Sequence, residues 1–332
     1  MDNIKILDCT LRDGGSLTNW IFGRERILNI FQQLNNAHID IVELGFIDNN
    51  ADENKESSLN SSNKYFDTIS SEITDKICSS VAMIDLEKYD FGKFNFTESK
   101  NLNGIRVMFT KDKIKEAIEI TEKLNNLNYK VSLNPVSVTS YSDSELSNLI
   151  KQVNNVKPER FYIVDTYGLM DINQTLKYFR LINDNLSDRI EIGYHSHNNL
   201  QLSFANAISI INENKNRNIV IDSSLYGMGK RAGNTPTELI ANYLNNSCGK
   251  NYDINIINNI IETIILPLHN YFNWGYSMTH YLAAENKCHS DYVTYLRNEK
   301  KLSFSEITNI LNQIPYDKKL KFDKNYLENF FS

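Results

Sequence analysis

Cysteine is scarce: Cys9, Cys78, Cys248 and Cys288 stand far apart and never in Cys-x-x-Cys spacing. This excludes a zinc knuckle or a disulfide framework, and the four read as reduced thiols, mostly core. No apolar run approaches the ~20 residues that span a bilayer, and the start Met1-Asp-Asn-Ile-Lys5 lacks a signal-peptide pattern. A cytoplasmic protein with no membrane contact is expected. Excess positive charge is missing too. A formal net charge of -6 leaves no basic face for nucleic acid, and Lys318, Lys319, Lys321 and Lys324 alternate with Asp317 and Asp323 as a solvated surface. Internal repeats and low-complexity tracts are absent, and the 13 Gly and 5 Pro leave little for a flexible linker.

What the sequence does have is a rhythm. Short apolar runs, at residues 4–7, 39–44, 77–83, 104–109, 130–133, 160–164, 190–194 and 219–221, alternate with amphipathic stretches such as Ile114, Ile118, Ile120 and Leu124. Strands alternating with helices make a parallel sheet, and eight such units fit a closed (β/α)8 TIM barrel better than an open sheet of five or six strands. The weakest unit is the third, where residues 86–95 carry only a short helix. The expected division is a catalytic barrel over residues 1–248 and a helical C-terminal region over 249–332 packing on it. That region reads as helices at 254–268, 280–297, 303–313 and 324–331.

Unusual polar residues fall where the strands end, the face on which barrels carry their active sites. Strand one runs into Asp8-Cys-Thr-Leu-Arg12-Asp13-Gly14-Gly15, strand two into Glu43 and strand five into Asn134. Strand six ends in Asp165-Thr166-Tyr-Gly, strand seven in His195-Ser-His197-Asn and strand eight in Asp222, followed by Gly227-Met-Gly-Lys230-Arg231-Ala-Gly-Asn234. Residues i and i+2 of a strand share a face, so His195 and His197 can hold one cation. With Asp13 and the amide oxygen of Asn234 they make a mixed nitrogen and oxygen set that suits Mn or Mg, with Co and Zn also accommodated. The glycine-rich loop lacks the spacing of a dinucleotide fingerprint. Lys230 and Arg231 could receive a phosphorylated substrate or serve as solvated rim charges, and the strand-end asparagines, Asn134 among them, point to a polar acceptor.

These four motifs, in this order, resemble the DRE-TIM metallolyase superfamily (HMGL-like), most closely its 4-hydroxy-2-oxovalerate aldolase-like branch. The resemblance covers about residues 4–245. It implies a divalent metal held by Asp13, His195 and His197 with Asn234 as a further or outer ligand, Arg12 steadying an enolate oxygen, Glu43 near the substrate and Thr166 facing the site. It also implies carbon–carbon lyase chemistry: a pyruvate enolate joined to, or released from, an aldehyde. The aldolases carry His shortly after the metal-binding Asp, in an Arg-Asp-Gly-x-His pattern, and here that position is Ser16. A base from the C-terminal region would replace it, with Tyr276, Tyr281 and His289 as the residues to consider; a metal-bound water is the other option. A Claisen-type acyl-CoA synthase or CoA lyase is the alternative, but the synthases' Glu-Gln after Arg-Asp-Gly and the CoA lyases' loop Cys are both missing. A non-catalytic relative is the third reading. The partners implied are a 2-oxo acid and an aldehyde, with a homodimer or an aldehyde-removing dehydrogenase as protein partner.

Overall fold

A computed structural model describes residues 3–331. Its centre is a closed parallel barrel of β1 (Ile4–Asp8), β2 (Ile41–Ile47), β4 (Ser79–Asp85), β5 (Gly104–Phe109), β6 (Lys130–Pro135), β7 (Arg160–Asp165), β8 (Glu191–Ser196) and β9 (Ile219–Ser223). Closure comes from β1, which pairs with β9 on one side and β2 on the other. A two-residue strand, β3 (Leu59–Asn60), adds to β2 at Phe46 and Ile47. The barrel strands are Ile- and Val-rich because both of their faces are covered, one by the barrel interior and the other by helices.

Seven helices lie between or after the strands: α1 (Arg24–Asn36), α2 (Asn63–Ser71), α3 (Ile114–Asn126), α4 (Asp143–Val156), α5 (Ile172–Asn185), α6 (Ser203–Glu213) and α7 (Thr237–Cys248). Local sequence sets their starts. Ser142 and Asp171 each form a capping box, with Glu145 and Gln174, which satisfies first-turn N–H groups of α4 and α5. On α4 the stripe Leu146, Leu149, Ile150 and Val153 is buried against the barrel wall. The third unit carries no α-helix, only a 3-10 turn at Phe91–Lys93. Asp90 accepts from the Gly92 N–H there, and Phe96 turns inward to meet Tyr129 edge-on at 6.1 Å. Aromatic packing replaces helical repeat in that connection.

After α7 the chain forms α8 (Ile254–Ile260), a π turn (Ile261–Ile265) and α9 (Leu266–His269). Ile257, Ile260, Ile265 and Trp274 of this stretch join the barrel's own core. A second core begins beyond them, where Leu282, Tyr292, Val293, Leu296, Ile307, Leu311 and Leu327 pack together. The apolar interior thus divides between Trp274 and Leu282, later than the change of sequence pattern at residue 248. The single helix expected over 280–297 is two, α10 (Met278–Glu285) and α11 (Ser290–Asn298). Lys287 at φ +53° breaks the run, and His289 stands at the N-cap of α11. The last elements are α12 (Phe304–Gln313), α13 (Tyr316–Lys319) and α14 (Lys324–Glu328). Among the described residues no helix is long and apolar enough to cross a membrane.

Candidate active site

A cavity of about 390 Å³ opens at the C-terminal ends of the barrel strands. Arg12, Asp13, His195 and His197 line it together with Asn134, Thr166, Lys230, Arg231 and His289. One side-chain donor atom from each of Asp13, His195 and His197 lies within 4.8 Å of the others, and all three residues are buried. The two imidazoles stand perpendicular with centroids 5.4 Å apart. His195 donates from Nδ1 to Asp222 Oδ2 at 3.0 Å, and His197 donates from Nδ1 to the Gly233 carbonyl at 3.2 Å. Both Nε2 atoms are left for a cation, the arrangement in which an outer acceptor fixes tautomer and ring orientation.

Charge on these groups suits a cation as well. Burial opposes ionisation of Asp13, but Arg12 and the two histidines outweigh it and hold the carboxyl well below the usual carboxylate range. Burial pushes His197 down to about 3, against the pull of Asp13, so its ring is neutral at pH 7. Asn234 donates from Nδ2 to Asp13 Oδ2 at 2.8 Å. Its Oδ1, in a residue 1% exposed, has no partner. An orphaned buried oxygen beside a carboxylate and two imidazoles is what a divalent cation would satisfy. Gly229 makes this packing possible, because a Cβ there would lie 2.4 Å from Asp13 Oδ2 and 2.2 Å from Asn234 Nδ2.

Beneath the cavity runs a buried chain of alternating charge. Arg12 donates from Nη1 to Asp13 Oδ1 and from Nε to Glu43 Oε2, each at 2.8 Å. Arg106 donates from Nη1 to the same Glu43 oxygen at 2.8 Å and from Nη2 to Asp222 Oδ2, the oxygen that also holds His195. The Tyr162 ring covers the Arg106 guanidinium, 4.5 Å from centroid to Cζ. The Asn134 amide completes the setting, its oxygen accepting from Arg106 Nη2 at 2.9 Å. Burial disfavours both guanidinium charges, yet the adjacent carboxylates more than restore them, leaving each Arg above its ordinary value.

Several expectations change at this point. Glu43 is 0% exposed and is not among the residues that line the cavity, and its Oε2 holds Arg12 from below. Tyr281 bonds Glu285 one turn along α10 at 3.1 Å and does not line the cavity, while Tyr276 is exposed. Neither phenol is among the groups that line the barrel mouth. His289 does reach it, since the break between α10 and α11 turns the chain inward. Its Nε2 accepts from Arg231 Nη2 at 3.1 Å, and burial followed by Arg231 pushes its pKa down to about 4. Ser16 also lines the cavity, but its hydroxyl donates to the Asp13 carbonyl at 2.6 Å. Thr166 Oγ1 accepts from the Ser137 N–H at 2.8 Å, which leaves its own proton free for a ligand oxygen. Arg106 escaped the sequence reading. Its signal was a lone charge inside the apolar strand Gly-Ile-Arg-Val-Met-Phe. Asp85, Glu87 and Lys88, at the end of β4, also line the cavity and were not singled out.

The HMGL-like family profile matches residues 99–264, half of the chain. The chain is 25% identical over 269 residues to a 4-hydroxy-2-oxovalerate aldolase of Chloroflexus aurantiacus, covering 80% of this chain and 76% of that one. Its counterpart in Geobacillus thermodenitrificans is 24% identical over 271 residues, covering 80% and 77%. Among solved structures, the N-terminal domain of a protein assigned as an aldolase from Bacteroides vulgatus superposes with TM-score 0.78 and 26% identity, over 92% of this chain and 99% of that one. An HMG-CoA lyase of Bacillus subtilis shares the fold, with TM-score 0.62 and 16% identity over 80% and 93%. With its closed barrel, its Asp-His-His cluster at the mouth and a profile match over half its length, the chain belongs to the HMGL-like family of carbon–carbon lyases.

Proposed function

We propose that this protein is a divalent-metal-dependent aldolase that forms or cleaves a 4-hydroxy-2-oxo acid, with pyruvate as the enolate partner and an aldehyde as the other. The observation that carries this reading is the meeting of Arg12 with Asp13, His195 and His197 on one cavity wall. Asp13, His195 and His197 would hold the cation, with Asn234 Oδ1 as a further donor; Mn or Mg suits this set best, and Co or Zn can be accommodated. When bound, such a cation supplies Lewis-acid polarisation of a 2-oxo acid.

The protein's own groups do the rest. Arg12 has two of its nitrogens committed to Asp13 and Glu43, and its Nη2 carries no protein partner, so it is aimed to stabilise the enolate oxygen. Fixed in place by those two carboxylates, it pays no reorganisation cost as charge develops. Thr166 offers its hydroxyl proton to the 2-oxo acid's carboxylate. We assign to His289, which lines the cavity and is neutral at pH 7, the proton of the substrate hydroxyl in the cleavage direction, in place of the missing His at Ser16; its Nε2 acts as base once the hydrogen bond from Arg231 Nη2 is given up to a bound ligand.

The test is pyruvate release from 4-hydroxy-2-oxo acids by protein stripped of metal and reloaded with Mn or Mg. Release should require metal, and His195→Ala should lose metal binding and activity together. Retention of either by that variant would sink the ligand assignment. Thiol release from acetyl-CoA with a 2-oxo acid, in place of aldol turnover, would favour a Claisen-type synthase.

A further inference from the structure

We infer that the aldehyde partner carries an anionic group, a carboxylate or a phosphate, received by Lys230, Arg231 and Lys88 on the cavity wall. This inference rests on the aldolase reading and extends it to the acceptor.

The first observation is a contrast among cations. The buried Arg12, Arg106, Arg160 and Arg217 each have a carboxylate within ion-pair distance. Among the described residues the exposed Lys88 and Lys230 and the half-buried Arg231 have none, although all three line the cavity. Arg231 is held by neutral groups: Nε donates to Ser290 Oγ at 2.9 Å, Nη1 to the Thr166 carbonyl at 3.3 Å and Nη2 to His289 Nε2 at 3.1 Å. Its guanidinium lies over the Tyr167 ring, 5.1 Å from the centroid. Those contacts fix its direction without neutralising it. The Lys230 amine has no hydrogen-bond partner among the described residues. Holding like charges together in a partly enclosed cavity is unfavourable until an anion enters.

The second observation concerns the backbone. Arg231 is a non-glycine residue at φ +61°, a left-handed conformation that persists where the surroundings impose it. The loop is tied at the site itself, since the Lys230 N–H donates to Asp13 Oδ2 at 3.3 Å. The same turn that closes over the metal ligands therefore delivers both cations. Three carboxylates share the cavity, and each is engaged. Asp13 accepts from Arg12 and Asn234, Glu87 accepts the Thr110 hydroxyl, and Asp85 accepts the Glu87 N–H at 3.1 Å while burial raises its pKa against the pull of Lys88 and Lys230. The pyruvate carboxylate already has Thr166 and the cation to meet it. Three more cations exceed what a neutral aldehyde such as acetaldehyde can use.

The experiment uses the full chain loaded with Mn and supplied with pyruvate and matched aldehydes. Glyceraldehyde 3-phosphate is set against glyceraldehyde, and succinic semialdehyde against butyraldehyde, so that one arm reads phosphate and the other carboxylate. In at least one arm kcat/KM should favour the anionic aldehyde by about tenfold or more. Lys230→Gln and Lys88→Gln should each shrink that preference through the KM for aldehyde, with the KM for pyruvate held within about twofold. Equal or better use of the neutral aldehyde in both arms overturns the inference, as does a rise confined to the KM for pyruvate. Deuterium exchange into the methyl group of pyruvate, which needs no aldehyde, separates the two readings. Exchange without anionic preference removes the acceptor inference alone; no exchange removes the aldol reading and this one with it.

Discussion

Asp222 shows how much of this site depends on residues that never meet a substrate. Its Oδ2 receives both His195 Nδ1 and Arg106. Asp222→Asn should therefore weaken metal binding by about 10- to 100-fold, measured by titration of the stripped protein, while leaving the ligands themselves in place. Arg106→Met should be worse for the fold than for the metal. It would leave Asp222 without its guanidinium and Glu43 with Arg12 alone, both carboxylates being almost fully buried, at a cost of about 3–5 kcal/mol in denaturant unfolding. A pH effect belongs to His289. Its folded pKa of about 4 lies below the ~6.5 of the unfolded chain, so between those values the unfolded state binds the extra proton. Stability from this residue is complete above about pH 6.5 and is lost as pH falls toward 4, on the order of 2–3 kcal/mol. His289→Asn, which can still cap α11, should flatten that loss in melting temperatures taken across the range; an unchanged slope would assign it to other groups.

Among the elements, the strands show what sequence pattern can and cannot supply. All eight barrel strands were legible because each contains a short run with apolar residues between amphipathic stretches, and their ends differed from expectation by only a few residues. Helix breaks were harder. Residues 280–297 keep enough apolar spacing for one helix, and only Lys287 in a left-handed conformation divides them. Nothing in a lysine announces that. The interior chain was hidden for another reason, since Arg106, Glu43 and Asp222 lie on three strands, and their meeting depends on barrel register. His195 and His197 were legible because both lie in one short segment. Strand β8 carries a further constraint in Gly193, where a Cβ would sit 2.3 Å from the Tyr162 ring. Gly193→Ala should push that ring off the Arg106 guanidinium, with about 1–3 kcal/mol of lost stability and lower kcat. Normal stability together with normal kcat would show that the ring adapts at no cost.

At the scale of the whole molecule, two apolar cores meet across polar contacts. The helices from Leu282 onward have an interior of their own, and they meet the barrel rim through Tyr167 Oη to the Leu320 carbonyl at 2.7 Å and Arg231 to Ser290 and His289. Hydrogen exchange should therefore resolve two cooperative units, with α11 and α12 opening at lower free energy than β5 to β9. A single shared opening event would contradict this division. The chain that links Asp13 to His195 has its own consequence, in the history of the sequence. A lone change at Glu43, Arg106 or Asp222 leaves an opposite charge in the barrel with one partner fewer, so each intermediate on a path of single substitutions is penalised. Across relatives these three positions should be inherited as a block, kept together or exchanged together, even where the loops around the cavity have diverged.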